Sequence, residues 1–160
     1  MTNDNGLLIP DTIPAVTEKG QGIDGIHWNI LGQVYTPKTI TEQCFSWHAM
    51  LPIESFIPPH IHTTQDEYIH VLTGEIDLLL DGRHLHVRTG DTVRLPMGIP
   101  HGIFNNSGAD ATALFWVTPT GNLVNLFRKI HNMAHPGEVT ELSREYDVQF
   151  LPPVRAADQL

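Results

Sequence analysis

A chain of 160 residues with 41% hydrophobic and 8% aromatic residues is long enough to bury one substantial core and too apolar to stay disordered. Its formal net charge of −9 and isoelectric point near 5.4 argue against nucleic acid or an anionic membrane as the main partner. No apolar run approaches the roughly 20 residues needed to span a bilayer. The lone Cys44 excludes an internal disulfide, and the opening MTNDNGLLIPDTIP lacks a secretory signal, so a cytoplasmic location is expected.

Residues 1–25 are rich in Pro, Gly and Asp without a sustained period and read as an N-terminal arm. From residue 26 to 119 short apolar runs alternate with turn residues. CFSWHAML (44–51) places Phe45, Trp47, Ala49 and Leu51 on one face of a strand. EYIHVLTG (67–74) puts Ile69 and Val71 on the face of Glu67. EIDLLL and RHLHVR flank Asp81-Gly82, a strong two-residue hairpin signal. TGD (89–91) turns the chain into TVRLP, and HGIFN and TALFWVTP continue the strands. Many short strands with regular turns predict a closed or double-sheet antiparallel β architecture.

Residues 120–160 change period. NLVNLFRKIHNMA (122–134) spaces Leu123, Leu126, Phe127 and Ile130 as one face of a helix. PGEVTELSREYDV predicts a second short helix, opening on Pro136 with acidic residues early and Arg144 late. FLPPV is expected to end regular structure. The apolar stripe must be buried, either as packing that stabilises the β unit or as a lid over a cavity.

The ten histidines are not equivalent. His60 and His62, one residue apart on a strand, point to the same face roughly 7 Å apart and can converge on one ion. TTQD (63–66) reads as a turn that returns Glu67 beside them. In GDTVRLPMGIPHGIFN (90–105), Pro96 and Gly98 shape a turn that delivers His101, with Ile103 and Asn105 on its face. Three imidazoles and one carboxylate suit Fe(II), Mn, Ni, Co or Zn, whereas Mg and Ca prefer all-oxygen shells. His27, His48, His70, His84, His86, His131 and His135 read as surface or hydrogen-bonded residues. His84 and His86 share the one-residue spacing but have no carboxylate at matching spacing, which assigns them to an outer sheet face.

These segments resemble the cupin superfamily. HIHTTQDEYIHVLTG resembles the first cupin motif from His60 through Glu67 to Gly74, and GDTVRLPMGIPHGIFN is similar to the second at Gly90, Pro96, Gly98, His101 and Asn105. The Gly that opens the first motif is Glu54 here, which puts a local turn in doubt. A looser similarity to small quercetin 2,3-dioxygenase-like single-domain cupins extends through the helical tail. The resemblance implies an all-β fold, a double-stranded β-helix (jelly-roll) barrel with a short C-terminal helical segment. It implies that His60, His62, Glu67 and His101 bind one divalent transition metal ion, iron among the candidates, with Glu67 also catalytic. Ile69, Val71 and Ile103, with Phe45, Trp47 or Phe115, would dry the cavity. The implied function is an O2-using dioxygenase acting on a small aromatic or enolic substrate. The alternatives are a redox-neutral lyase, isomerase or cyclase using the metal as Lewis acid, and a non-catalytic small-molecule-binding cupin. A homodimer is expected, with neither nucleic acid nor membrane as partner.

Overall fold

The computed structural model describes residues 14–152; the arm expected over residues 1–25 lies outside it up to residue 13, as does the tail from 153 onward. Among the described residues the chain forms β1 (Trp28–Ile30), β2 (Gln33–Ile40), β3 (Phe45–Leu51), β4 (Phe56–His62), β5 (Asp66–Thr73) and β6 (Glu75–Leu80). β7 (Arg83–Arg88), β8 (Thr92–Leu95), β9 (His101–Phe104) and β10 (Ala111–Thr118) follow, then α1 (Leu123–Ile130), α2 (Pro136–Ser143) and β11 (Val148–Phe150).

The alternation read from the sequence is what builds the sheets. In β3, Phe45, Trp47, Ala49 and Leu51 are buried and the residues between them are not. In β5, Glu67, Ile69 and Val71 share the inner face. The Asp81-Gly82 hairpin forms with both residues at positive φ, 48° and 74°, the conformation a two-residue connection needs and glycine adopts without steric cost. The strands assemble into two antiparallel sheets, ordered β1-β2-β3-β10-β5-β8 and β11-β4-β9-β6-β7. The inner faces supply the core, with Phe45, Ile69, Ile76, Leu78, Phe115 and Val117 essentially inaccessible. The fold is thus the two-sheet β barrel that the motifs implied.

The helical tail departs from the sequence expectation at its ends. α1 stops at Ile130 rather than running to residue 134, because Asn132 takes a left-handed conformation (φ 61°) that ends the helix. Its stripe is buried as predicted: Leu123, Val124, Leu126, Phe127 and Ile130. Phe127 sits in an aromatic nest, with ring centroids 5.9 Å from Trp28, 5.1 Å from Tyr35, 5.7 Å from Phe45 and 5.2 Å from Trp47. At ~1.5–3 kcal/mol per buried side chain, this face fastens the segment firmly to the barrel. α2 likewise stops at Ser143, short of the helix expected over residues 136–148, although regular structure does end at FLPPV. After a left-handed turn at Asp147 (φ 65°), Val148–Phe150 adds a strand antiparallel to β4, pairing Val148 with His62 and Phe150 with His60. Three residues are too few to show a period, which is why the sequence gives no sign of this strand.

Candidate metal centre

β4 ends in His60-Ile61-His62, and strand alternation turns both imidazoles inward, each 4% exposed. Pro58 and Pro59 precede them and supply no N–H; the β4–β9 ladder accordingly shifts register between Ile57 and His60. It resumes with His60 directly across from His101, their ring centroids 4.4 Å apart. The turn before His101 is tied to the same strand: Gly98, at φ 78°, donates its N–H to the His62 carbonyl at 2.9 Å. Glu67 arrives from β5 in the other sheet. Its Oε2 lies 2.9 Å from His101 Nε2 and 3.5 Å from His62 Nε2.

Each imidazole is held from behind. His60 Nδ1 meets the Pro58 carbonyl at 2.8 Å, His101 Nδ1 the Ile99 carbonyl at 3.1 Å, and His62 Nδ1 the Gln65 Oε1 at 3.1 Å. Gln65 is itself fixed, because its Nε2 donates to the carbonyls of Pro119 and Thr120. All three partners are acceptor oxygens, so each Nδ1 carries the proton and each Nε2 presents its lone pair to the centre. One ligand atom from each of His60, His62, Glu67 and His101 lies within 4.8 Å of the others, and all four residues are buried. A buried cluster of acceptors requires a positive charge among them, from a proton or an ion. Three imidazole nitrogens and a carboxylate fit a divalent transition metal site.

The electrostatics follow from this crowding. Burial, then the neighbouring His101 and His62, push the His60 pKa down to about 3, so this imidazole stays neutral. Burial pushes the Glu67 carboxyl up, but His62, His101 and His60 outweigh it and hold it at about 2. Glu67 is therefore ionised at neutral pH. Burial and then the Glu67 charge raise the Tyr35 phenol, which stays protonated.

His60, His62 and Glu67 open onto a cavity of about 90 Å³. Trp47, Ile103 and Phe115 line it as expected; Phe45, Ile69 and Val71 are fully buried in the core but form no part of the wall. Leu123, Leu126, Phe127 and Ile130 of α1 and Val139 of α2 do, so the helical segment closes this cavity. Sequence reasoning missed Gln33 and Tyr35, which line it from β2. It also missed Gln65 and Phe150, whose ring centroid lies 5.2 Å from that of His60. Neither carried a local signal: Gln65 is fixed by the distant carbonyls of Pro119 and Thr120, and Phe150 lies on a strand of three residues. A larger concavity of about 870 Å³ lies beyond Phe150 and Pro58, which border both, and reaches His101.

The other histidines lie elsewhere. His27 pairs with Thr36 and His70 with Thr92, and His131 accepts the Asn29 N–H. His84 and His86 are exposed on β7, on the outer sheet face as expected, and His86 meets carboxylates of the neighbouring strand β6, Asp77 at 2.8 Å and Glu75 at 3.1 Å.

Residues 47–118 match the cupin domain family. Over 75 residues the chain is 36% identical to quercetin 2,3-dioxygenase from Bacillus subtilis (strain 168), a match spanning 47% of this chain and 22% of that protein. The fold is similar to that of KdgF from Halomonas sp. (TM-score 0.58, 17% identity, 67% of this chain and 99% of that one). It is also similar to TT1209 from Thermus thermophilus (TM-score 0.52, 23% identity, 54% and 83%). At such identities the likeness shows the fold alone. A cupin-superfamily sugar phosphate isomerase from Silicibacter pomeroyi DSS-3 matches with TM-score 0.52 and 25% identity, over 56% of this chain and 61% of that one. No described helix is long and apolar enough to cross a membrane. The chain has the cupin double-stranded β-helix fold, and residues 47–118, which carry the buried histidine–carboxylate cluster, match the cupin domain family.

Proposed function

We propose that the chain is a metal-dependent cupin dioxygenase, acting with O2 on a small aromatic or enolic substrate in the cavity beside His60, His62, Glu67 and His101. The observation that carries this reading is three Nε2 lone pairs and one carboxylate meeting in one buried cluster, of which His60, His62 and Glu67 line a largely apolar cavity. His60, His62 and His101 hold the ion, iron among the candidates, and Glu67 completes the set. When bound, the ion supplies Lewis acidity and open coordination positions for oxygen ligands. The imidazoles are kept in register by Pro58, Gln65 and Ile99, so the centre is organised before substrate arrives. The 36% identity to a quercetin 2,3-dioxygenase supports the reaction class, over a part of that protein only.

Glu67 is the residue that takes the substrate's hydroxyl proton. It is ionised at neutral pH. A substrate hydroxyl that takes its place in the cluster would leave a buried carboxylate, and burial raises its pKa toward the range a general base needs. The same carboxylate serves a redox-neutral lyase, isomerase or cyclase equally well, and the similarity to a sugar phosphate isomerase favours keeping that second reading. A cytoplasmic homodimer is the proposed working form, checked by sedimentation. Oxygen-electrode measurements on the iron-loaded protein with pentane-2,4-dione, catechol and quercetin decide the reaction. Dioxygen uptake equal to substrate loss is expected; substrate loss without uptake selects the redox-neutral alternative.

A further inference from the structure

Two hairpins of the chain share one backbone conformation and differ in their first residue. Asp81-Gly82 joins β6 to β7 with φ 48° and 74°, and Leu31-Gly32 joins β1 to β2 with φ 50° and 87°. A left-handed first position suits aspartate or asparagine, whose short polar side chains tolerate it, and strains leucine. Every other non-glycine residue at positive φ among the described residues is Asp, Asn or Glu. Local structure therefore works against Leu31, and burial does not offset the strain, since the residue stays 41% exposed.

Its position accounts for it. Leu31 and Phe56, the latter 58% exposed, are the only exposed residues that line the cavity beside His60, His62 and Glu67. Ile57, Pro58 and Phe150 are half-buried there and the rest of the lining is buried, so the cavity meets solvent between Leu31 and Phe56. Both sides of the opening are fixed. Gln33, next to the Leu31 turn, donates from Nε2 to the Phe56 carbonyl at 3.1 Å and so ties β2 to β4 of the other sheet. The Phe56 ring stacks on Phe104 (6.3 Å, 12°), and the Gly32 N–H donates to Asn29 Oδ1 at 3.1 Å. Glu67, in the buried cluster, is the one charged residue of the lining among the described residues. A rim of leucine and phenylalanine attracts no ion and holds apolar surface instead.

We propose that Leu31 and Phe56 form the mouth of this cavity, and that the substrate is amphiphilic: an oxygen-bearing head reaches the cluster while an apolar tail lies between these two side chains. This rests on the cavity being the substrate site of a metal enzyme, so the test reads the metal and the mouth with different probes. Alkanehydroxamates offer two adjacent oxygens that chelate a metal ion, on a tail of chosen length. Acetohydroxamate probes the ion alone; octanohydroxamate, with a slim unbranched tail, probes the mouth as well. Calorimetry measures both affinities on the cobalt(II)-loaded full chain, the visible cobalt spectrum reports ligation, and elemental analysis gives the metal content.

Octanohydroxamate should bind at least about tenfold more tightly than acetohydroxamate, since each buried methylene contributes about fourfold. Leu31→Asn and Phe56→Thr should each remove most of that difference, with acetohydroxamate affinity and cobalt content unchanged. Leu151→Ser, in the outer concavity that reaches His101, should leave both affinities as they are. Leu31→Asn should also raise Tm by about 1–3 °C, because asparagine suits the left-handed turn. A lowered Tm in that variant overturns the claim that the leucine serves the cavity rather than the fold. Equal affinity for the two probes, no binding of octanohydroxamate, a difference that survives both substitutions, or one lost in Leu151→Ser instead overturns the mouth and leaves the metal reading standing. Protein that takes up no cobalt, yet binds octanohydroxamate and loses it in Leu31→Asn and Phe56→Thr, keeps the mouth and overturns the metal reading.

Discussion

The chain spells His-x-His twice, and the two copies meet different fates. His60 and His62 face inward from β4, with side chains about 5% exposed where they meet Glu67, and every Nδ1 is anchored so that the Nε2 atoms converge. His84 and His86 lie on the outer face of β7. There His86 engages both ring nitrogens at once, Nδ1 with Asp77 and Nε2 with Glu75, on side chains 39%, 38% and 41% exposed. No lone pair is left over and none converges. Spacing alone therefore does not make a metal site. Burial that denies water, and a second interaction that fixes the tautomer, separate a binding centre from a solvated ion pair.

The largest effect is expected from the buried copy. In His62→Ala/His101→Ala, metal content measured by elemental analysis should fall to background while the circular dichroism spectrum keeps its β signature. Full occupancy in that double variant would erase the distinction between the two clusters. Glu67→Gln should keep most of the metal and lose about two orders of magnitude in turnover, read by steady-state kinetics. Near-normal turnover would make Glu67 a ligand and nothing more.

A smaller contrast concerns the turns that precede the two copies. The outer pair follows Gly82 at φ 74°, whereas the inner pair follows Glu54 at φ 64°, where a side chain is strained. Glu54→Gly should relieve that strain and raise Tm by about 1–3 °C with unchanged metal content. A fall in Tm would mean that the Glu54 side chain contributes something the turn alone does not. The smallest effect belongs to His86. Asp77 and then Glu75 raise its pKa above the ordinary 6.5, so its stabilisation is whole below pH 6.5 and disappears as pH climbs through the raised value. The Tm gap between wild type and His86→Gln should be small, salt-sensitive, and present at about pH 5.5 but absent at about pH 8.5. A gap that persists at the higher pH would show a role independent of charge.

Much of this was legible in the sequence, because the barrel writes its inner face as strict alternation. Phe45-Trp47-Ala49-Leu51 and Glu67-Ile69-Val71 needed no more than a period of two. The cluster was legible for the same reason: His60, His62, Glu67 and His101 are fixed by short-range turns whose Pro and Gly residues are visible. Contacts made across long stretches of chain were not. Gln65 reaches the carbonyls of Pro119 and Thr120, and His86 finds its carboxylates on β6, neither of which any local pattern records. Phe150 lies on a strand of three residues, below the length at which periodicity says anything. The cavity wall was half right, since the sequence tells which side chains point inward but not which of them the helices leave uncovered.

That three-residue strand has a consequence for how the protein is made. All four residues of the cluster have been synthesised once the chain reaches His101, yet β4, which holds two of them, still lacks its partner on one side. Phe150 and Val148 pair with His60 and His62 near the very end of the described chain. Until residues 148–150 pair with it, β4 presents His60 and His62 on an unfinished sheet edge, so a segment far from the motifs completes the side of the centre that they leave open.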